Sequence, residues 1–237
     1  MITNLIKETY SFSDFIDIIA ALRSEEGCPW DKEQTHESLK PCMMEEAAEL
    51  VASIRIYDKT GNYENFREEL GDILLQVVMH SQIAKEEGIF QIDNVIQEVC
   101  EKMIRRHPHV FGTIEANNSS EALHNWEEIK KQEKEGKDWM ETPLRDIPKE
   151  LPSLTRTTKV LKKADKLYQQ GNTKTENLNK LSIALEEMKQ TDENDTTEVN
   201  RILGDMLFCI TDISRICKVF PEQILMDRVE EFIDKFE

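Results

Sequence analysis

The sequence lacks a Cys-x-x-Cys pair, an apolar run long enough to cross a bilayer, a convincing alternating strand and any surplus of positive charge. Each absence excludes something. Five cysteines, Cys28, Cys42, Cys100, Cys209 and Cys217, are odd in number and widely scattered. Neither a disulfide framework nor a zinc site is favoured, and they read as reduced thiols. The least charged interior stretch, ILLQVVMHSQIA, is too short for a membrane span, and the start, MITNLIKETYSFSDF, has no signal-type apolar core. The expected location is the cytoplasm, with no membrane partner. With 30 basic against 47 acidic residues and a formal net charge of -17, non-specific attraction to nucleic acid or an anionic surface is disfavoured. A polyphosphate ligand would need metal ions or a local basic cluster. No GxxxxGK[ST] occurs, which argues against a P-loop NTPase releasing γ-phosphate.

What is present is helical periodicity almost throughout, so the expected fold class is all-α. A first helix is expected from about Ser13 and is followed by a loop, EEGCPWDKEQTHES. A second runs from near Pro41 to near Tyr57, and a third, capped by Asn62, extends to Gly88. A fourth, starting at Ile92 or Asp93, stops before Pro108, and a charged helix begins at Ser119 or Ser120. Three of the seven prolines fall in GKDWMETPLRDIPKELPSL, the best linker candidate. Four more helices follow it.

The stretch MMEEAAEL, 43–50, puts Glu45, Glu46 and Glu49 within an arc of roughly 100° with no lysine or arginine among them. On the next helix Glu69 and Asp72 lie one turn apart on a shared face. Antiparallel packing of the two helices would point four or five carboxylates at one another. The pattern alone leaves two readings open: solvated faces, or a cluster whose repulsion and lost hydration divalent cations offset. The apolar circumference of DILLQVVM, Asp72 to Met79, predicts that other helices cover this one on most sides. A di-iron bundle would need a Glu-x-x-His pair, and neither His36 nor His80 follows a glutamate at that spacing. His80 reads as a helix-surface or interface histidine.

An internal repeat is also visible. ELGDILLQ, 69–76, recurs as ILGDMLFC, 202–209, and MEEAAE, 44–49, is echoed by LEEMKQ, 185–190. The period suggests a duplicated helical domain. The copies are unequal: Glu186, Glu187 and Asp205 match Glu45, Glu46 and Asp72, but Gln190 and Ile202 stand where the first copy has Glu49 and Glu69. Glu231 and Asp234 fall about where Lys102 and Arg105 would align. The expected division is a domain over 1–137, a linker over 138–153 and a degenerate second copy over 154–237.

EEAAE at 45–49, ELGD at 69–72, EKMIRRHPHVF at 101–111 and GCPWDKEQT at 27–35, in this order and spacing, resemble MazG, a nucleoside triphosphate pyrophosphohydrolase family of the all-α NTP pyrophosphatase superfamily. The resemblance covers the first 150 residues closely and the rest more weakly. It implies magnesium, with manganese able to stand in, held by Glu46, Glu49, Glu69 and Asp72. It also implies Glu45 as the residue that orients or deprotonates the attacking water, and Lys102, Arg105 and Arg106 near phosphate oxygens. The basic cluster alternatively reads as a cationic helix C-terminus. Trp30 and Asp31 match a segment near the nucleotide, though Trp30 could equally plug the bundle. The implied reaction gives a nucleoside monophosphate and pyrophosphate, in the housekeeping of nucleotide pools, by a homodimer. The decayed second copy keeps open a non-catalytic nucleotide-binding homologue.

Overall fold

The computed structural model describes residues 5–116, 118–133 and 142–236. Among them are eleven helices and no strand, so the protein is all-α. The chain divides into two compact units, 1–135 and 136–237. The expected linker, 138–153, lies at the start of the second, and its first residues, 138–141, are outside the described ones.

In the first unit, helix α1 spans Phe12–Leu22. Its cap is Ser11 rather than Ser13, because Ser11 has a carboxylate three residues on. Ser11 Oγ accepts from the Asp14 backbone N–H at 3.3 Å, while the Ser11 N–H donates to Asp14 Oδ2 at 2.9 Å. That reciprocal pair satisfies two end groups of the helix, worth about 1 kcal/mol. Ser13 is followed at the same spacing by apolar Ile16, which can accept nothing.

The segment expected to be a loop contains a short helix α2, Pro29–Glu33, opened by proline at its first position. Arg23, buried at the end of α1, fixes this segment. Its Nη1 donates to the carbonyls of Asp31 at 2.5 Å and Gln34 at 3.1 Å, while Nη2 meets Glu86 at 2.7 Å.

Helix α3, Lys40–Thr60, ends at Gly61, whose φ of 73° is a left-handed conformation glycine adopts without a Cβ penalty. Residues 61–63 turn the chain back into α4, Glu64–Glu86. The N-cap of α4 is Tyr63 rather than the expected Asn62, which stands one residue earlier and accepts from the Glu64 N–H through its Oδ1 at 2.9 Å. The two helices pack antiparallel. Tyr57 and Phe66 stack near the turn, and His36 meets His80 toward the other end.

Ile19 of α1, Leu39, and Val78, Met79 and Ile83 of α4 form the core of this unit with Ile92 of α5, Ile92–Arg106. Pro108 stops α5 as expected but also opens one further turn, α6, Pro108–Phe111. Helix α7, Ser119–Gln132, completes the unit's described helices. The apolar circumference of α4 is not wholly covered within the chain: Leu70 and Leu74 are exposed, as are Met44, Val51 and Ile54 of α3.

The second unit contains α8 (Ser153–Tyr168), α9 (Lys174–Gln190), α10 (Thr196–Ile216) and α11 (Pro221–Ile233). Its main packing is α9 on α10. Buried Asn177 of α9 donates to Asp212 of α10 at 2.8 Å, and Arg215 Nε reaches the same carboxylate at 2.7 Å. The buried charge is therefore paired and hydrogen-bonded, which its loss of hydration demands.

Candidate active site

Glu46 and Glu49 project from α3 and Glu69 from α4 so that one ligand oxygen from each lies within 4.8 Å of the others. Helical spacing on α3 and the short 61–63 turn bring these distant residues together. Glu69 is buried, and its Oε2 has no hydrogen-bond partner. Burial pushes its pKa above the ordinary carboxylate value, Glu49, Asp72 and Glu68 push it further, and a hydrogen bond from Asn65 opposes them. Glu46 is raised as well, first by burial and then by Asp72, Glu49, Glu69 and Glu45. Asp72 therefore sits within electrostatic reach of the cluster. Glu45 is exposed and outside the group of three.

A buried carboxylate oxygen without a partner, facing two further carboxylates, costs free energy as it stands. A hard divalent cation supplies the missing contacts, and oxygen ligands are its preferred donors. The residues present fit a metal ion, which this cluster could bind.

The basic residues are held elsewhere than free in solvent. Arg105 Nη2 and Arg106 Nη2 grip the two oxygens of Glu133, just beyond α7, at 2.7 and 2.5 Å. Those arginines, Arg106 first, hold the Glu133 carboxyl down at about 2. Arg106 also lies over the Trp126 ring, 5.4 Å from its centroid. Lys102 is half-buried on the same helix. Arg105 and Arg106 do lie in the last turn of α5, as the helix-terminus reading has it, and they also form a tertiary clamp onto Glu133 just beyond α7. Glu133 was not visible in the sequence pattern, because its arginines are more than 25 residues away.

Trp30 is 60% exposed, so the indole is no plug over the core. Asp31 is tied to Arg23 through its backbone carbonyl. His80 is half-buried, with its Nδ1 2.8 Å from Nδ1 of His36 and the rings stacked. Burial, then the neighbouring His36, lowers its pKa.

In the second unit Glu187 and Asp205, matched to Glu46 and Asp72, are bridged by a guanidinium. Arg201 reaches Glu187 at 2.8 Å, Asp205 at 3.1 Å and Glu198 at 2.6 Å. Ile202, matched to Glu69, is fully buried.

A helical hairpin presenting clustered carboxylates across its seam defines an all-α protein with a candidate metal site. Residues 34–111 match the MazG nucleotide pyrophosphohydrolase domain. The Thermotoga maritima protein called nucleoside triphosphate pyrophosphohydrolase/pyrophosphatase MazG is 38% identical over 225 residues, covering 95% of this chain and 84% of its own. An Escherichia coli K12 nucleoside triphosphate pyrophosphohydrolase is 35% identical over 225 residues, 93% of this chain and 84% of its own. An uncharacterized Bacillus subtilis protein, YabN, is 40% identical over 230 residues, 96% of this chain but 46% of its own length. The chain belongs to the MazG family, and with it to the hydrolases acting on phosphoric anhydrides.

Proposed function

We propose that this protein hydrolyses nucleoside triphosphates to a nucleoside monophosphate and pyrophosphate, with magnesium, at the α3–α4 hairpin of its first unit. The observation that carries this reading is the buried Glu69 carboxylate, whose Oε2 is unpartnered, facing Glu46 and Glu49. Glu46, Glu49, Glu69 and Asp72 would hold the metal, with manganese as a substitute. When bound, the ion neutralises charge on the phosphate oxygens and acidifies a coordinated water.

Glu45, exposed beside the cluster, orients or deprotonates the water that attacks the α-phosphorus. Arg105 and Arg106, with Lys102, meet the triphosphate, whose negative charge the acidic chain would otherwise repel. Their grip on Glu133 holds the guanidinium groups in place, and the phosphate must compete with that carboxylate. Trp30 and Asp31 lie on the segment that borders the nucleotide.

Catalysis belongs to the first unit, and the second is a degenerate copy that serves packing. The exposed apolar side chains of α3 and α4 are the surface of a homodimer, which a monomer mass in light scattering would rule out. No described helix is long and apolar enough to cross a membrane, and nucleotide-pool housekeeping in the cytoplasm is the role that suits this chemistry. Pyrophosphate release from a mixture of nucleoside triphosphates, with and without magnesium, tests the reading. Magnesium-dependent pyrophosphate is expected. Nucleotide binding without any pyrophosphate would favour a non-catalytic homologue instead.

A further inference from the structure

We infer that Gln76 is a substrate-recognition residue, its side-chain amide hydrogen-bonding the nucleoside part of the nucleotide one helical turn beyond the carboxylates. This rests on the reading of the α3–α4 hairpin as the nucleotide site.

Glu69, Asp72, Gln76 and His80 stand at i, i+3, i+7 and i+11 on α4 and so share one face. Both ends of that stripe look onto α3 and the segment before it. Glu69 and Asp72 act electrostatically on Glu49 and Glu46, and His80 meets His36 at 2.8 Å. Gln76 is therefore bracketed in the seam between the carboxylate cluster and the histidine pair. It is only 6% exposed, and its Oε1 has no hydrogen-bond partner. A buried amide oxygen left without a donor is costly and rare in folded chains.

The packing of the hairpin does not call for an amide there. The repeat places Cys209 opposite Gln76 in the second unit, and Cys209 is buried just as deeply, at 7% exposure. In that unit Glu187, Asp205 and Cys209, the matches of Glu46, Asp72 and Gln76, line one cavity of about 410 Å³. These three positions thus look onto a common space. The amide is lost in the copy that has also lost the matches of Glu49 and Glu69.

The chemistry of the vacant acceptor narrows its partner. Phosphate oxygens are acceptors and cannot satisfy Oε1. A sugar hydroxyl or a base amino group can, and both belong to the nucleoside. With the triphosphate at the carboxylates, the nucleoside would extend past Gln76 toward His36 and the segment bearing exposed Trp30.

The test compares Gln76→Met, which keeps the length of the side chain but removes the acceptor, with Gln76→Cys, the residue the fold already carries at the matching position. Steady-state constants are measured for CTP against UTP, ATP against ITP, and each ribonucleotide against its 2′-deoxy and its 3′-deoxy form. Dissociation constants of the α,β-methylene analogues are measured alongside. In both variants kcat/KM for the nucleotide carrying the donor should fall about tenfold. The loss should lie in KM and in the dissociation constant, with the nucleotide lacking the donor and the magnesium midpoint unchanged. The pair whose preference collapses identifies base or sugar as the partner. Loss shared equally by every nucleotide, or preferences within twofold of the wild type in both variants, would overturn the inference. Wild-type protein that binds the analogues but releases no pyrophosphate would count against the proposed reaction alone, since the analogue affinities still test Gln76.

Discussion

The hairpins α3–α4 and α9–α10 place similar residues in similar registers and do opposite things with charge. In the first, Glu46, Glu49 and Glu69 approach within 4.8 Å, and the buried oxygen of Glu69 is unpartnered. In the second, Arg201 lies among Glu187, Glu198 and Asp205, and Ile202 fills the buried position with hydrocarbon. Glu68 stands in the first copy where the second has Arg201. The second hairpin thus carries its own cation on a side chain, and in the proposed reading the first leaves that place to a metal ion. If the second hairpin is the degenerate copy proposed above, two or three substitutions sufficed to supply the missing contacts internally, while half the acidic motif survives in the sequence.

The sharpest way to break the comparison is to remove charge from the first hairpin alone. Glu49→Gln and Glu69→Gln keep side-chain volume but subtract a negative ligand, and pyrophosphate release should fall roughly a hundredfold or more in each. Circular dichroism should show the helices intact. Glu187→Gln, the matching change in the second unit, should leave turnover at the wild-type level.

The arginine clamp gives a smaller effect. Arg106→Ala removes the proposed phosphate contact and the stacking on Trp126 together, so KM should rise about tenfold, and excess magnesium should not restore it. Glu133→Gln, which releases the competing carboxylate, should change KM in the opposite direction or leave it unaltered. A rise in KM as large as that of Arg106→Ala would show that Glu133 positions the arginines more than it competes for them.

The units should also differ in their response to pH. Glu46 and Glu69 have folded-state pKa values above their unfolded ones, so the folded first unit binds protons more tightly. The contribution of these two groups is greatest below the unfolded carboxylate range and declines as pH rises through the raised values, whereas Asp14, Glu86 and Glu133 of the same unit are shifted down and lose theirs only as pH falls. In the second unit the carboxylate shifts, at Glu176, Asp192 and Glu198, are downward, each first through a hydrogen bond. Their contribution is present at neutral pH and is lost as pH falls. Metal-free protein melted at pH values rising from the ordinary glutamate value of 4.5 should lose stability on the alkaline side, and magnesium should remove most of that loss. Glu69→Gln should flatten the profile, whereas Arg201→Ala should lower the melting temperature slightly and leave the slope alone.

The carboxylate cluster was legible in the sequence because helical periodicity fixes which residues share a face, and because ELGD follows EEAAE after nineteen residues, enough for one turn-back. The class of fold was legible for the same reason. What the pattern missed depends on contacts between distant residues or on single side chains. Ser11 displaced Ser13 as a cap through one carboxylate three residues on. Glu133 meets Arg105 and Arg106 across two helices, and no local spacing announces it. Gln76 looks like any polar residue in a helix until burial and the lack of a partner single it out. Coverage of α4 on most sides was expected from its apolar circumference. Within one chain Leu70 and Leu74 remain exposed, at 48% and 40%, and that surface is the one the proposed dimer would bury.

The most direct test is pyrophosphate release by Asp72→Asn and Asp205→Asn in the full chain, side by side, with saturating magnesium and nucleotide. These matched residues occupy equivalent positions on α4 and α10, so the pair isolates the site from the chemistry of the change. The account predicts that Asp72→Asn loses nearly all activity and Asp205→Asn retains it. An inactive Asp205→Asn beside an active Asp72→Asn would contradict the assignment of catalysis to the first unit.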